Sequence, residues 1–126
     1  MNINRLDHLV LTVKNVEDTC NFYADVLGME VITFGDDRKA LKFGNQKINL
    51  HQYGHEIDPK ATQPMPGSAD LCFITDTPVD VVVDELKSKQ IHIITGPVER
   101  TGATGKIKSV YFRDLDGNLV EVSEYL

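Results

Sequence analysis

Apolar and polar residues alternate from Leu6 to Val13, with Leu9, Leu11 and Val13 on one face and His8, Val10 and Thr12 on the other. That period of two predicts a strand. Asn15 is placed to cap a helix over Val16–Leu27, whose apolar stripe is Val16, Cys20, Tyr23 and Leu27, and Gly28 follows as its terminating glycine. Three short strands are predicted next, at Met29–Phe34, Arg38–Phe43 and Gln46–Gln52, with turn signals at Gly35-Asp36-Asp37 and Gly44-Asn45. Tyr53 to Ser68 is polar and holds Pro59, Pro64, Pro66 and Gly67, the composition of a connector. The order then recurs. Asp70–Thr75 reads as a strand, Thr77 as an N-cap before a first-turn Pro78, and Val79–Lys89 as a helix with Val79, Val82, Val83 and Leu86 inward. Ile91–Thr95 is predicted as a strand and Gly96–Gly105 as a loop. Lys108–Arg113 and Asn118–Tyr125 are predicted strands joined at Asp114-Leu115-Asp116-Gly117-Asn118, where Asp-Gly marks a tight turn.

The recurrence extends to individual positions. Shifting Leu6–Asp18 by 62 places sets His8 on Asp70, Leu9 on Leu71, Leu11 on Phe73 and Asn15 on Thr77. Shifting Ile48–Tyr53 by 72 places sets Asn49 on Glu121, Leu50 on Val122 and Tyr53 on Tyr125. The period is too long for a solenoid and implies one α+β domain over residues 1–126, built from two βαβββ modules. Module one spans 4–53, a connector 54–68, and module two 69–126. His8, Asn49, Asp70 and Glu121 interrupt otherwise apolar strands, and all four fall on the face opposite the helix-facing residues. A carboxylate between Val120 and Val122 is costly to bury without a partner or a cation. One imidazole with one or two carboxylates suits a divalent metal such as Zn, Ni, Mn or Fe(II). His51 shares the face of Asn49 and is a second imidazole candidate, whereas His55 and His92 read as solvated.

Composition narrows the partners. A net charge of −6 argues against nucleic acid and anionic membranes, both of which attract basic faces. Apolar runs are too short to span a bilayer, and the opening MNINRLDHLVLTV lacks the pattern of a secretory leader, so a cytoplasmic location is expected. Cys20 and Cys72 read as buried free thiols in a reducing compartment.

The motifs LDHLVLTVKNVEDTCNFYADVLGMEV, FGNQKINLHQY, PGSADLCFI and YFRDLDGNLVEVSEY cover nearly the whole chain. On them the chain resembles the vicinal-oxygen-chelate superfamily, which includes glyoxalase I, extradiol dioxygenases, fosfomycin-resistance proteins and bleomycin-binding proteins. Its small glyoxalase domain-containing branch is the nearest in pattern. The resemblance implies a cupped mixed sheet with metal ligands on the first and last strands of the modules: His8, Asp70 and Glu121, with Asn49 or His51 as a further donor. Asp70 stands where the family usually has histidine, Asn49 where bacterial glyoxalase I has glutamate, and Leu115 where proline is usual. Tyr111 aligns with a substrate-facing tyrosine, and Arg100, Arg113 and Val10 are further candidates for substrate contact. Val10 replaces the threonine of fosfomycin transferases, so fosfomycin transfer is not expected. The implied activity is that of a metal-dependent glyoxalase-like lyase or isomerase acting on a small substrate with vicinal oxygens, with Glu121 moving a proton. The alternatives are a non-catalytic drug-binding module and an extradiol-type ring-cleaving dioxygenase. A homodimer with sites at its interface is also implied.

Overall fold

The computed structural model describes residues 1–126 and divides into two compact units, Met1–Gly67 and Ser68–Leu126. The first runs β1 (His8–Val13), α1 (Val16–Leu27), β2 (Glu30–Phe34), β3 (Arg38–Phe43) and β4 (Gln46–Gln52). The second runs β5 (Asp70–Ile74), α2 (Val79–Ser88), β6 (Thr95–Thr101), β7 (Lys106–Arg113) and β8 (Leu119–Tyr125). The α+β class and the repeated βαβββ order are those the residue pattern predicts. Each unit has its own four-stranded mixed sheet, in the orders β1-β4-β3-β2 and β5-β8-β7-β6. The first and last strands of each unit lie side by side and parallel, and the other pairings are antiparallel.

Register decides which residues face the helix. Leu9, Ile48 and Leu41 form one row across β1, β4 and β3, and Leu11 pairs with Leu50. Leu11, Val13, Leu41, Ile48 and Leu50 are buried with Cys20 and Tyr23 of α1. In the second unit Val110, Phe112, Val120 and Val122 are buried with Val79, Val82 and Leu86 of α2. Each such side chain contributes about 1.5–3 kcal/mol by leaving water. Val83, expected inward, is only half-buried.

The helix ends show how the sequence closes each unit. Asn15 Oδ1 accepts from the Asp18 amide at 2.9 Å, as its capping position requires, and Gly28 ends α1 with φ of 65°, a left-handed conformation suited to glycine. The first helical amide, Val16 N–H, donates to Gln52 Oε1 of β4 at 3.2 Å. In α2 the expected cap fails: Pro78 occupies the N-cap position, and Thr77 makes no side-chain cap. The Val79 amide donates instead to the Glu124 carboxylate of β8. Gln52 and Glu124 are equivalent under the same 72-place shift that relates Asn49 to Glu121.

The largest departure concerns β6. Of the expected strand Ile91–Thr95, residues 91–94 are irregular, and the strand is Thr95–Thr101, six of whose seven residues fall in the expected loop. β6 is the edge of its sheet, where Pro97, which has no N–H to give, is tolerated, and the register shifts between Thr95 and Val98. Gly96 is required there. Its φ is 111°, and a Cβ would meet the Ser109 carbonyl oxygen at 2.5 Å.

Candidate functional site

In the first unit, three rows of side chains occupy the sheet face turned away from α1. They are His8, Lys47, Lys42 and Glu30; then Val10, Asn49, Ala40 and Ile32; then Thr12 and His51, with Arg38 and Phe34 beside them. His8 is exposed, and its Nδ1 lies 2.8 Å from Asp7 Oδ2. That hydrogen bond is the main cause holding the Asp7 carboxyl below its ordinary range. Nε2 of His8 is left as the available nitrogen, and a carboxylate behind the ring is the arrangement that orients a metal-binding imidazole. Asn49 is 5% exposed, and its Oδ1 has no hydrogen-bond partner. A buried acceptor without a donor is a position that a cation or a ligand N–H or O–H group would complete. His51 is equally buried, and its Nε2 faces Arg38 Nη2 at 3.4 Å. Burial first, and then the Arg38 charge, push the imidazole below its usual range, so His51 is neutral at pH 7. Its Nε2 is therefore already an acceptor for Arg38, which makes His51 a poorer metal donor than His8. Val10, Thr12 and His51 line a hollow of about 250 Å³ with Pro59, Lys60 and Pro64 of the connector.

In the second unit the corresponding face carries a continuous polar network. Cys72, Glu121 and Tyr111 form one row, and Ser123 and Ser109 pair in the next. The two serine hydroxyls lie 2.7 Å apart, both fully buried, and Ser123 Oγ donates to Glu121 Oε2 at 3.2 Å. One carboxylate oxygen is thereby oriented, and the Tyr111 hydroxyl and Cys72 thiol also interact with this carboxylate. Arg100 Nε donates to the Tyr111 hydroxyl at 3.2 Å. Burial raises the Tyr111 phenol above its usual range, with Glu121 adding to the shift and Arg100 opposing it. Cys72 is an exposed residue on edge strand β5 and not the buried thiol expected from its sequence context, because its face of the strand is not the one α2 covers. Its Sγ lies 3.5 Å from Ser123 Oγ, and desolvation raises the thiol. Asp70 is exposed on β5, one row from Glu121. Arg113 donates to the Gly117 carbonyl at 3.4 Å, in the turn before β8.

Each unit therefore groups its own candidates: His8, Val10, Asn49 and His51 in one, and Asp70, Arg100, Tyr111, Arg113 and Glu121 in the other. No three His, Cys, Asp or Glu side chains converge within either unit. The donors present are an imidazole with its second nitrogen held by a carboxylate, and a carboxylate with one oxygen held by a hydroxyl. That N and O chemistry fits a divalent first-row metal. Ser109, Ser123 and Arg38 are absent from the sequence-based candidates. Parity could have found them, since Ser123 is two residues from Glu121, Ser109 two from Tyr111, and Arg38 two from Ala40 on the same strand face.

A family model described as the Glyoxalase/Bleomycin resistance protein/Dioxygenase superfamily matches residues 5–122, and the chain belongs to that family. It is similar to virulence protein STM3117 of Salmonella typhimurium, at 60% identity over all of this chain and 88% of the relative. The crystal structure of that protein matches with a TM-score of 0.98, covering both chains completely. The glyoxalase domain-containing protein RDO1 of Mycosarcoma maydis is 50% identical over 99% of this chain and 70% of its own. The fold alone is shared with FosX of Listeria monocytogenes, solved with Mn(II) and sulfate: identity 21%, TM-score 0.68, 99% of this chain and 93% of that one. It is likewise shared with the antibiotic-binding protein TnmS3 of a Streptomyces species: identity 20%, TM-score 0.78, 100% and 99%. No helix of the chain is long and apolar enough to cross a membrane.

Proposed function

We propose that this chain is a metal-dependent lyase or isomerase of the glyoxalase type, acting on a small substrate with vicinal oxygens. The observation that carries the reading is Glu121, whose Oε2 is fixed by Ser123 while Tyr111 stands beside it in the row. His8, Asp70 and Glu121 are the proposed ligands, with the unpartnered Asn49 Oδ1 as a further donor. A bound divalent ion would supply Lewis acidity toward the adjacent substrate oxygens. Glu121 takes a proton from the carbon beside the substrate carbonyl and returns it to the neighbouring carbon. The buried Ser109–Ser123 pair holds the carboxylate so that little reorganisation accompanies that transfer. Tyr111 stays protonated at neutral pH and donates its O–H to a substrate oxygen, while Arg100 positions the phenol. The family membership and the Mn(II) carried by FosX support a divalent metal.

Calorimetric titration of chelator-treated protein with Ni, Zn, Mn and Fe(II) tests the reading. Saturable binding of at least one ion is expected, and His8→Ala should weaken it. An absence of binding to all four would sink the enzyme reading. It would favour a second one, a non-catalytic small-molecule binder, which the placement of Asn49 and Asp70 at ligand positions supports. We also propose a homodimer. β1 and β5 are open edge strands within their units, and Val10 and Ile74 on them are 45% and 51% exposed. Light scattering behind size exclusion is expected to give twice the chain mass, and a strict monomer would refute the assembly.

A further inference from the structure

The α1-free face of the first unit is cationic, although the chain as a whole carries −6. Register places Arg38, Lys42 and Lys47 on that face against a single carboxylate, Glu30, on strand β2. Lys42 and Lys47 stand directly opposite each other on neighbouring strands. Like charges so paired are destabilising, and neither lysine has an ion-pair partner to offset the cost. Lys47 is held in place: its Nζ sits 3.8 Å from the centroid of the Phe34 ring, on which the Arg38 guanidinium also packs, at 4.7 Å. An ammonium already braced on an aromatic face loses little freedom when it takes a partner.

These residues border a surface hollow of about 380 Å³ lined by Arg5, Asp7, Ile32, Lys42, Gln46 and Lys47. Its one acid, Asp7, bonds the His8 ring, lies 3.9 Å from Arg5 and also interacts with the Lys47 charge, so it offsets the cationic lining only in part. Glu30 faces Lys42 from the far side without ion-pairing it. The hollow is thus a concave site lined by two lysines without ion-pair partners, one of them braced on Phe34 at its border, and His8 occupies the next position in the same row.

We propose that Lys42 and Lys47 bind the anionic group, carboxylate or phosphate, of a small acid, and that the substrate handled beside His8 is therefore an acid. The anion would take charge-assisted hydrogen bonds from the lysines and remove their mutual repulsion. Only the second clause rests on the function proposed above, because anion binding itself needs no metal.

The test is a titration of chelator-treated, desalted protein at low ionic strength with inorganic phosphate and, separately, with malonate, followed by amide NMR shifts. Saturable shifts are expected at Phe34, Lys42 and Lys47 with at least one of the two, and which one identifies the anion. Lys42→Gln and Lys47→Gln should each weaken binding about fivefold, as loss of one exposed charge-assisted bond implies. Glu30→Gln should tighten it, which keeps the test decisive if a lysine variant folds poorly. Failure of both anions to saturate, or an unchanged affinity in the double lysine variant, would overturn the site. Loss of metal binding with anion binding intact would leave this inference standing and remove the catalytic one. The reverse result removes this inference alone.

Discussion

Glu121→Gln is expected to abolish turnover and to weaken divalent-metal binding by at least about a hundredfold, since loss of a mere supporting partner of a metal ligand already costs about 10–100-fold. The substitution preserves shape, and the amide oxygen can still accept from Ser123. What disappears is the negative charge and the proton-accepting oxygen. Val120 and Val122 flank the position and keep their contacts with the helix side, so unfolding curves should be nearly unchanged. Calorimetry with the metal that binds best, combined with a methylglyoxal–thiol assay, checks both effects. Full metal affinity in this variant would show that Glu121 is not a ligand. Retained turnover would show that it is not the base.

The second large effect concerns stability. Asn118→Ala is expected to cost about 2–4 kcal/mol, because it strips the side-chain partner from the Ala69 amide and from the buried Asp114 carboxylate at once. Asn118 is 1% exposed. Its Oδ1 accepts from the Ala69 amide at 2.9 Å, just before β5, and its Nδ2 donates to Asp114 Oδ2 at 2.8 Å. Asp114 Oδ1 in turn accepts from the amides of Asp116 and Asn118, both at 2.9 Å. The side chain thus locks the turn before β8 and sets the start of β5 beside it. Thermal unfolding should show a midpoint lowered by on the order of 10 °C. A shift within error would mean that the turn can repair these bonds by itself.

The fold was legible wherever periodicity and turn chemistry agree. α1 matches its predicted bounds because Asn15, the apolar stripe and Gly28 all mark the same segment. β3 and β4 match because Gly44-Asn45 separates two clearly alternating runs. β6 was misplaced because Ile91, Ile93 and Ile94 carry the β-branched signal, whereas Gly96 and Pro97 signal a loop. Only the sheet order, which makes this strand an edge, reconciles a proline with strand pairing. The candidate site was legible in its parity, since His8, Asn49, Tyr111 and Glu121 do lie on the faces turned from the helices. The neighbours that hold them were not. Parity puts the two serines and Arg38 on the right faces, but their contacts with Glu121 and His51 depend on strand pairing that local sequence does not encode.

The hydrogen bonds that the Val16 amide donates to Gln52 and the Val79 amide donates to Glu124 tie the start of each helix to the last strand of its half. In most helices the first amides exchange freely with solvent, because nothing inside the helix accepts from them. Here the acceptor arrives from the strand furthest along the module. Opening the first turn therefore also breaks a bond to the final strand, so the exchange of these two amides reports on contact between the start and the end of each module. Each half thus carries the same latch, at the point where the chain returns to its own beginning.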